Sequence, residues 1–395
     1  MTNAVETQRL IEHRQQFPAL KNKLYFNYGG QGPLSQSALD AIQSAYLKVQ
    51  EIGPFTGASN RWITEQVEGA RGAIATQLNV DPSTITLTDS VSTGCNIALW
   101  GLNWKPGDHL LVTDCEHPSV FATAQQLQRR FGIEFSICPI LNTLNEGDPI
   151  ASVVKRLKPQ TRMLGISHVL WNTGQVLPLQ AISQACRQQN PDIIVMVDAA
   201  QSVGVLPLSL AELDVDCYAF TGHKWWCGPD GLGGLYVSPS ALEKLEPTYM
   251  GWRGVTVNPS GYPTGWKPDG RRFEIATSAY PLFVGLTAAL ECQQQWGSAE
   301  DRYQRILQLS QLLWQQLREI PNLRCLRSSA PEASLVSFTL DGLDHSQFVQ
   351  DLERDHIMVR LIADPHCIRA CVHYLTLETE IEQLTAKIAE ISGKL

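Results

Sequence analysis

Residues 217–236 read "CYAFTGHKWWCGPDGLGGLY". An apolar run ends at Thr221, and Lys224 follows between His223 and the pair Trp225 and Trp226, just ahead of a glycine- and proline-rich stretch. A lysine with such neighbours is not the solvated lysine of a helix face. Loss of hydration disfavours its ammonium form and brings the neutral, nucleophilic amine within reach.

The text around this segment sets the fold. From about residue 80 to 240, short β-branched runs alternate with helical periodicity. "TITLTDS" precedes "TGCNIALWGLNW", "HLLVTDCEH" precedes "FATAQQLQRRFG", and "TRMLGISHV" precedes "LQAISQACRQQ"; "DIIVMVDAA", "CYAFTG" and "GLGGLYVS" follow. Strands that are apolar almost throughout belong to a sheet covered by helices on both faces. The expectation is an α/β domain with a mainly parallel sheet over 21–270. A smaller α+β domain is expected over 271–395, with 1–20 as an N-terminal segment packing on it.

Bulk properties narrow the function. The formal net charge of −8 and the lack of a basic stripe argue against a nucleic-acid or anionic-membrane surface. No long uncharged apolar stretch suggests a membrane span, and "MTNAVETQRLIEHRQQFPAL" lacks the layout of a signal peptide, so the cytoplasm is expected. The ten cysteines include no CxxC pair, and no His or Cys set completes a zinc site, so no metal is expected.

A dinucleotide is the default ligand of such a domain, yet no GxGxxG follows a first strand. Four segments at strand ends point elsewhere. "DSVSTGCN" (89–96) opens a helix with Ser92 and Thr93, where a phosphate can sit. "DCEHPSV" (114–120) carries His117, "VMVDAAQSVG" (195–204) carries Asp198 and Gln201, and "TGHKWW" (221–226) carries Thr221, His223 and Lys224. Taken singly, these read as well as helix caps or polar loop residues. Together, an amine, a buried acid, an imidazole and a phosphate cradle at one sheet edge meet the needs of pyridoxal phosphate. Lys224 is then the Schiff-base residue, and Asp198 faces the pyridine nitrogen so that the ring can accept electrons.

At this point the chain resembles the class V aminotransferase family, in fold type I of the pyridoxal-phosphate enzymes. The likeness is to its cysteine desulfurase and cystine lyase group. It runs from "LYFNYGGQGP" to "CIRACVHYLT", with "EHPSV", "DAAQSVG", "TGHKWWCGPDGLGGLY" and "RRFEIATS" in the family's order. The resemblance implies that Gln201 meets the ring oxygen and His117 stacks on the ring. Ser92, Thr93, Thr221 and His223 would contact the phosphate, and Thr277 would reach the phosphate of a neighbouring subunit in a homodimer. Arg369 would grip the substrate carboxylate, with Gly29 and Asn172 nearby.

Three departures stand out. Val91 replaces a hydroxyl of the phosphate loop, and Trp171 falls where the family has a cofactor-facing asparagine, leaving Asn172 displaced by one. The third departure concerns sulfur chemistry. Desulfurases carry a long loop with a nucleophilic cysteine, whereas only residues 361–368 separate Arg360 from Arg369 here, and Cys367 stands two residues before the arginine. The resemblance therefore implies a C–S lyase eliminating the β substituent of cystine or cysteine, with Lys224 as base. The products would be pyruvate, ammonia and a persulfide or sulfide for iron–sulfur clusters, with a sulfur-acceptor protein as a further partner. The alternatives are a true cysteine desulfurase using Cys367, or a non-catalytic binding protein on the same fold.

Overall fold

The computed structural model describes residues 4–393, so the expected N-terminal segment begins outside the described residues. Its central element is a seven-stranded sheet. The strands are β1 (Ile85–Thr88), β2 (His109–Thr113), β3 (Glu134–Cys138), β4 (Thr161–Ser167), β5 (Ile194–Asp198), β6 (Cys217–Thr221) and β7 (Gly233–Val237). Their order is β1-β7-β6-β5-β4-β2-β3, and only β7 runs antiparallel to its neighbours.

Burial explains the composition of these strands. β2, β5 and β6 are buried at every position. Successive side chains point to opposite faces, so Ile194 and Met196 pack beneath the helices Val91–Gly101 and Pro118–Phe131, while Val195 and Val197 join the helices Gly57–Leu78 and Leu179–Gln189. Both faces are covered, and no polar alternation survives in the sequence.

A second, antiparallel sheet is formed by β8 (Leu323–Cys325), β9 (Leu335–Leu340), β10 (Arg360–Ile362) and β11 (Cys367–Cys371), in the order β8-β9-β11-β10. Against it pack the helices Ala299–Arg318 and Glu378–Ser392, together with Leu10, Phe17 and Leu20 from the N-terminal region. Arg14 anchors that region by an ion pair to Glu380 at 2.6 Å. The helix Tyr280–Trp296 serves both cores: Phe283, Leu286 and Leu290 join the larger, and Cys292 and Trp296 the smaller.

One buried ion network ties residues 253–274 to the first strand. Arg71, 1 % exposed, pairs with Glu274 at 2.6 Å and donates to the Ile85 carbonyl at 2.8 Å. Glu274 also accepts from the Leu87 amide at 3.0 Å and from Arg253 at 3.3 Å. Removing Glu274 would leave Arg71 only one carboxylate, the half-exposed Glu68 at 3.0 Å, and leave Arg253 and the Leu87 amide without this partner. Glu274→Ala should therefore cost about 3–5 kcal/mol of stability in denaturant unfolding; a loss close to zero would show that Arg71 finds water instead.

Candidate active site

The forward ends of β1, β2, β4, β5 and β6 lie along one edge of the large sheet, and the loops leaving them enclose a cavity of about 730 Å³. Each loop delivers its side chain through a local device. Ser90 caps the helix Val91–Gly101 by accepting from the Thr93 amide at 3.2 Å, which exposes that helix N-terminus and Ser92 to the cavity. Unpaired amides and the helix dipole suit a phosphate there. His117 caps the next helix through Nδ1, which accepts from the Ser119 amide at 3.3 Å. It lines the cavity wall, where burial lowers its pKa against the opposing pull of Asp198 and so favours the neutral ring.

Asp198 terminates β5 at 6 % exposure and accepts from the Ala200 amide at 2.9 Å. Lys224 lines the same cavity. Loss of hydration pulls its pKa down to about 8, against the opposing attraction of Asp198 and with the repulsion of Arg369. His223, also made less basic by burial, is oriented by Thr221 at 2.7 Å. Gln201 spans the site, donating to the Gly29 carbonyl at 2.9 Å and accepting from Trp225 Nε1 at 3.0 Å. A side chain at Gly29 would begin 3.0 Å from both Arg369 Nη2 and Gln201 Oε1, so any other residue would push these two side chains aside.

Arg369 is the least compensated group in the cavity. It is 3 % exposed, its Nη1 donates to the Trp171 carbonyl at 2.6 Å, and its Nε is buried without a partner. No carboxylate pairs with it among the described residues. A buried guanidinium in this state is chemically suited to pair with an anion from outside the chain.

Of the residues expected from the sequence, Lys224, Asp198, His117, Gln201, Ser92, His223, Arg369 and Gly29 line this one cavity. Thr93, Thr221, Asn172 and Thr277 do not. Thr93 bonds Asp89 instead, and Thr221 acts through His223. Thr277 is exposed. Asn172 is turned away, donating to the Asp364 carbonyl at 3.1 Å and to Cys115 Sγ at 3.5 Å, while Trp171 takes the cavity wall. Its expected place beside the substrate is thus replaced by one bracing the β10–β11 turn.

Two residues escaped the sequence reading. Arg360 lines the cavity from β10, directly in register with Arg369 on β11, and makes no ion pair among the described residues. Glu116, 3 % exposed, accepts from Thr113 Oγ1, from the Ser167 amide at 2.8 Å and from Ser167 Oγ at 2.9 Å. Burial, followed by the charge of Asp198, pushes its pKa up to about 7. Nothing local marks Glu116, because its partner Ser167 lies on another strand; Arg360 could have been found by strand alternation across the hairpin.

The β10–β11 connection is shorter than the eight intervening residues suggest. Strand pairing consumes half of them, leaving the turn Ala363–His366. Cys367 is fully buried on β11 opposite Ile362, and burial pushes its thiol up to about 11. The described cavity lining does not include it.

Known proteins share this fold. Two solved structures of C-DES are each 52% identical and cover 95% of this chain and 99% of theirs. One, at a TM-score of 0.94, is a mutant with glycine covalently linked to the PLP cofactor; the other, at 0.93, is described as a cystine C-S lyase in complex with its reaction product cysteine persulfide. A probable cysteine desulfurase of Vibrio cholerae is 28% identical over 90% of this chain and 88% of its own length. Isopenicillin N epimerase of Streptomyces clavuligerus is 27% identical over 93% and 94%. The model of the aminotransferase class-V family matches residues 24–385, nearly the full length of the fold described above, and the chain belongs to that family.

Proposed function

We propose that the protein is a pyridoxal-phosphate-dependent C–S lyase that splits cystine into pyruvate, ammonia and cysteine persulfide. The observation that carries this reading is Cys367, which is sealed into a four-residue hairpin where a desulfurase needs a mobile thiolate. The likeness to C-DES, a cystine C-S lyase, supports it.

The side chains fit the cofactor by charge and by position. Lys224 would attach it covalently, Asp198 would face its pyridine nitrogen, and His117 its ring. Its phosphate would meet the helix N-terminus at Ser92, with His223 alongside. When bound, this group supplies an electron sink for a bond broken at the substrate Cα.

The chain's own residues then divide the work. Arg369 would hold the carboxylate next to the reacting carbon, a two-oxygen group that fits a guanidinium better than an ammonium. Arg360, one strand away, would take the second carboxylate, which cystine has and cysteine lacks. The Lys224 amine would remove the Cα proton, and the Cβ–S bond breaks with its electron pair leaving on the persulfide sulfur. Water then converts the three-carbon remainder to pyruvate and ammonia. A persulfide is a weaker base than a thiolate, so cystine offers the better leaving group.

We also read the chain as a homodimer with Thr277 beside the neighbouring subunit's site. Supporting this, Tyr249, Met250, Trp252, Tyr262, Trp266 and Ile275 stand exposed around the same segment. A sulfur-acceptor protein remains part of the proposal. All ten cysteines are free, which suits a reducing compartment such as the cytoplasm. No helix among the described residues is long and apolar enough to cross a membrane.

Three measurements test these roles. Cofactor-free protein should recapture pyridoxal phosphate about tenfold faster at pH 9 than at pH 7, because an amine with a pKa near 8 goes from about one eleventh to ten elevenths neutral. An unperturbed lysine would give about a hundredfold, and Lys224→Ala should not form the covalent link. Cys367→Ala should keep most of the wild-type rate and release pyruvate with ammonia; alanine as product, or a folded but inactive variant, would install the desulfurase reading. Arg360→Ala should raise the KM for cystine about tenfold while leaving that for cysteine nearly unchanged, and an equal rise for both would remove Arg360 from disulfide recognition.

A further inference from the structure

A second cavity, of about 720 Å³, opens away from Lys224 and shares no lining residue with the active-site cavity. Val176, Leu206 and Leu208 form an apolar wall, while His168 and the opening turn of the helix Ala299–Arg318 bring Arg302 and Tyr303.

Arg302 is 4 % exposed and only half employed. Its Nη1 donates to the Gln293 carbonyl at 3.3 Å and the Gly297 carbonyl at 2.6 Å, closing the end of the helix Tyr280–Trp296, where unpaired carbonyls collect. Its Nε is buried without a partner, and Nη2 makes no hydrogen bond among the described residues. Asp301, the nearest carboxylate in sequence, is occupied by Ser298 at the helix cap. Glu212 lies exposed in the lining. His168, 5 % exposed, spends Nδ1 on the Tyr218 hydroxyl at 2.7 Å, and burial brings its pKa down to about 4, so it adds no charge. Among the described residues, the one buried charge in the lining of this cavity is therefore a guanidinium whose Nη2 is left over.

We propose that this cavity binds a small organic carboxylate with a short apolar body, held by Arg302 Nη2. Its two N–H donors can meet a carboxylate with a charge-assisted hydrogen bond. Glu212 disfavours a dianion such as phosphate, although Thr76, Gln77 and Ser209 also line the cavity. Leu206 and Leu208 would cover the hydrocarbon part.

The test uses the holoenzyme and 4-bromobenzoate, with 4-bromobenzyl alcohol as the uncharged control. Soaked crystals should show bromine anomalous density between Arg302 and Leu206, and calorimetry should show binding of the acid but not of the alcohol. Affinity should fall at least about tenfold in Arg302→Gln. Because Arg302 also closes a helix, Gln180→Trp provides the second variant: it fills the mouth from an exposed position, leaves Arg302 in place, and should weaken binding equally. Absence of bromine from this cavity, equal binding of the alcohol, or affinity unchanged in both variants would each overturn the proposal.

Discussion

The carbonyl of Lys224 lies so close to Gly32 that a methyl group there would sit 2.1 Å from it. The Gly32 amide donates to the preceding carbonyl, His223 O, at 2.7 Å. On the other side Gly204, at φ +88°, leaves no room for a side chain against Trp225, whose Cβ would be 2.8 Å away. The Trp225 carbonyl accepts from Gln293 Nε2 at 2.9 Å. Lys224 thus sits on a tightly clamped backbone, which explains the tryptophans and glycines that crowd its sequence. Fixing the main chain this tightly lets a long, flexible side chain deliver its amine to one place.

Clamping also sets the electrostatics. The aromatic surroundings that hold the segment exclude water, and excluded water is the main reason why the amine is less basic. Asp198 works against that effect and Arg369 with it, so the amine's basicity reflects a three-way balance. Glu116 adds a second buried carboxyl near Asp198, tethered to Ser167, the residue in register with Asp198 on the adjacent strand. The acid beneath the site is therefore held by its neighbours as firmly as the lysine above it.

The sequence made the large sheet legible because strands buried on both faces tolerate little besides apolar residues, and its strand ends announced Asp198, His117 and Lys224. What it obscured were relations across the chain. Asn172 could not be placed, since a one-residue displacement in a turn decides whether a side chain faces the cavity or the hairpin behind it. Glu116 carried little local mark because two of its three hydrogen bonds come from Ser167 on β4. The helix Tyr280–Trp296 blurs a boundary near residue 271, since its two halves pack in different cores. Arg369 was legible through its motif, whereas its missing counter-ion became apparent only in three dimensions.

The tight turn Ala363–His366 has a bearing on how sulfur would travel. A protein that parks sulfur on its own cysteine must be unloaded before it can work again, so its turnover waits on whatever reduces or accepts the load. With Cys367 sealed into a strand, the sulfur would depart inside a small molecule and the chain would return to its starting state unaided. Delivery then becomes a matter of diffusion and of how long the cavity shelters a labile persulfide from water and thiols. The hairpin, by leaving no arm to reach outward, would trade control over the destination of sulfur for a turnover that does not wait on its acceptor.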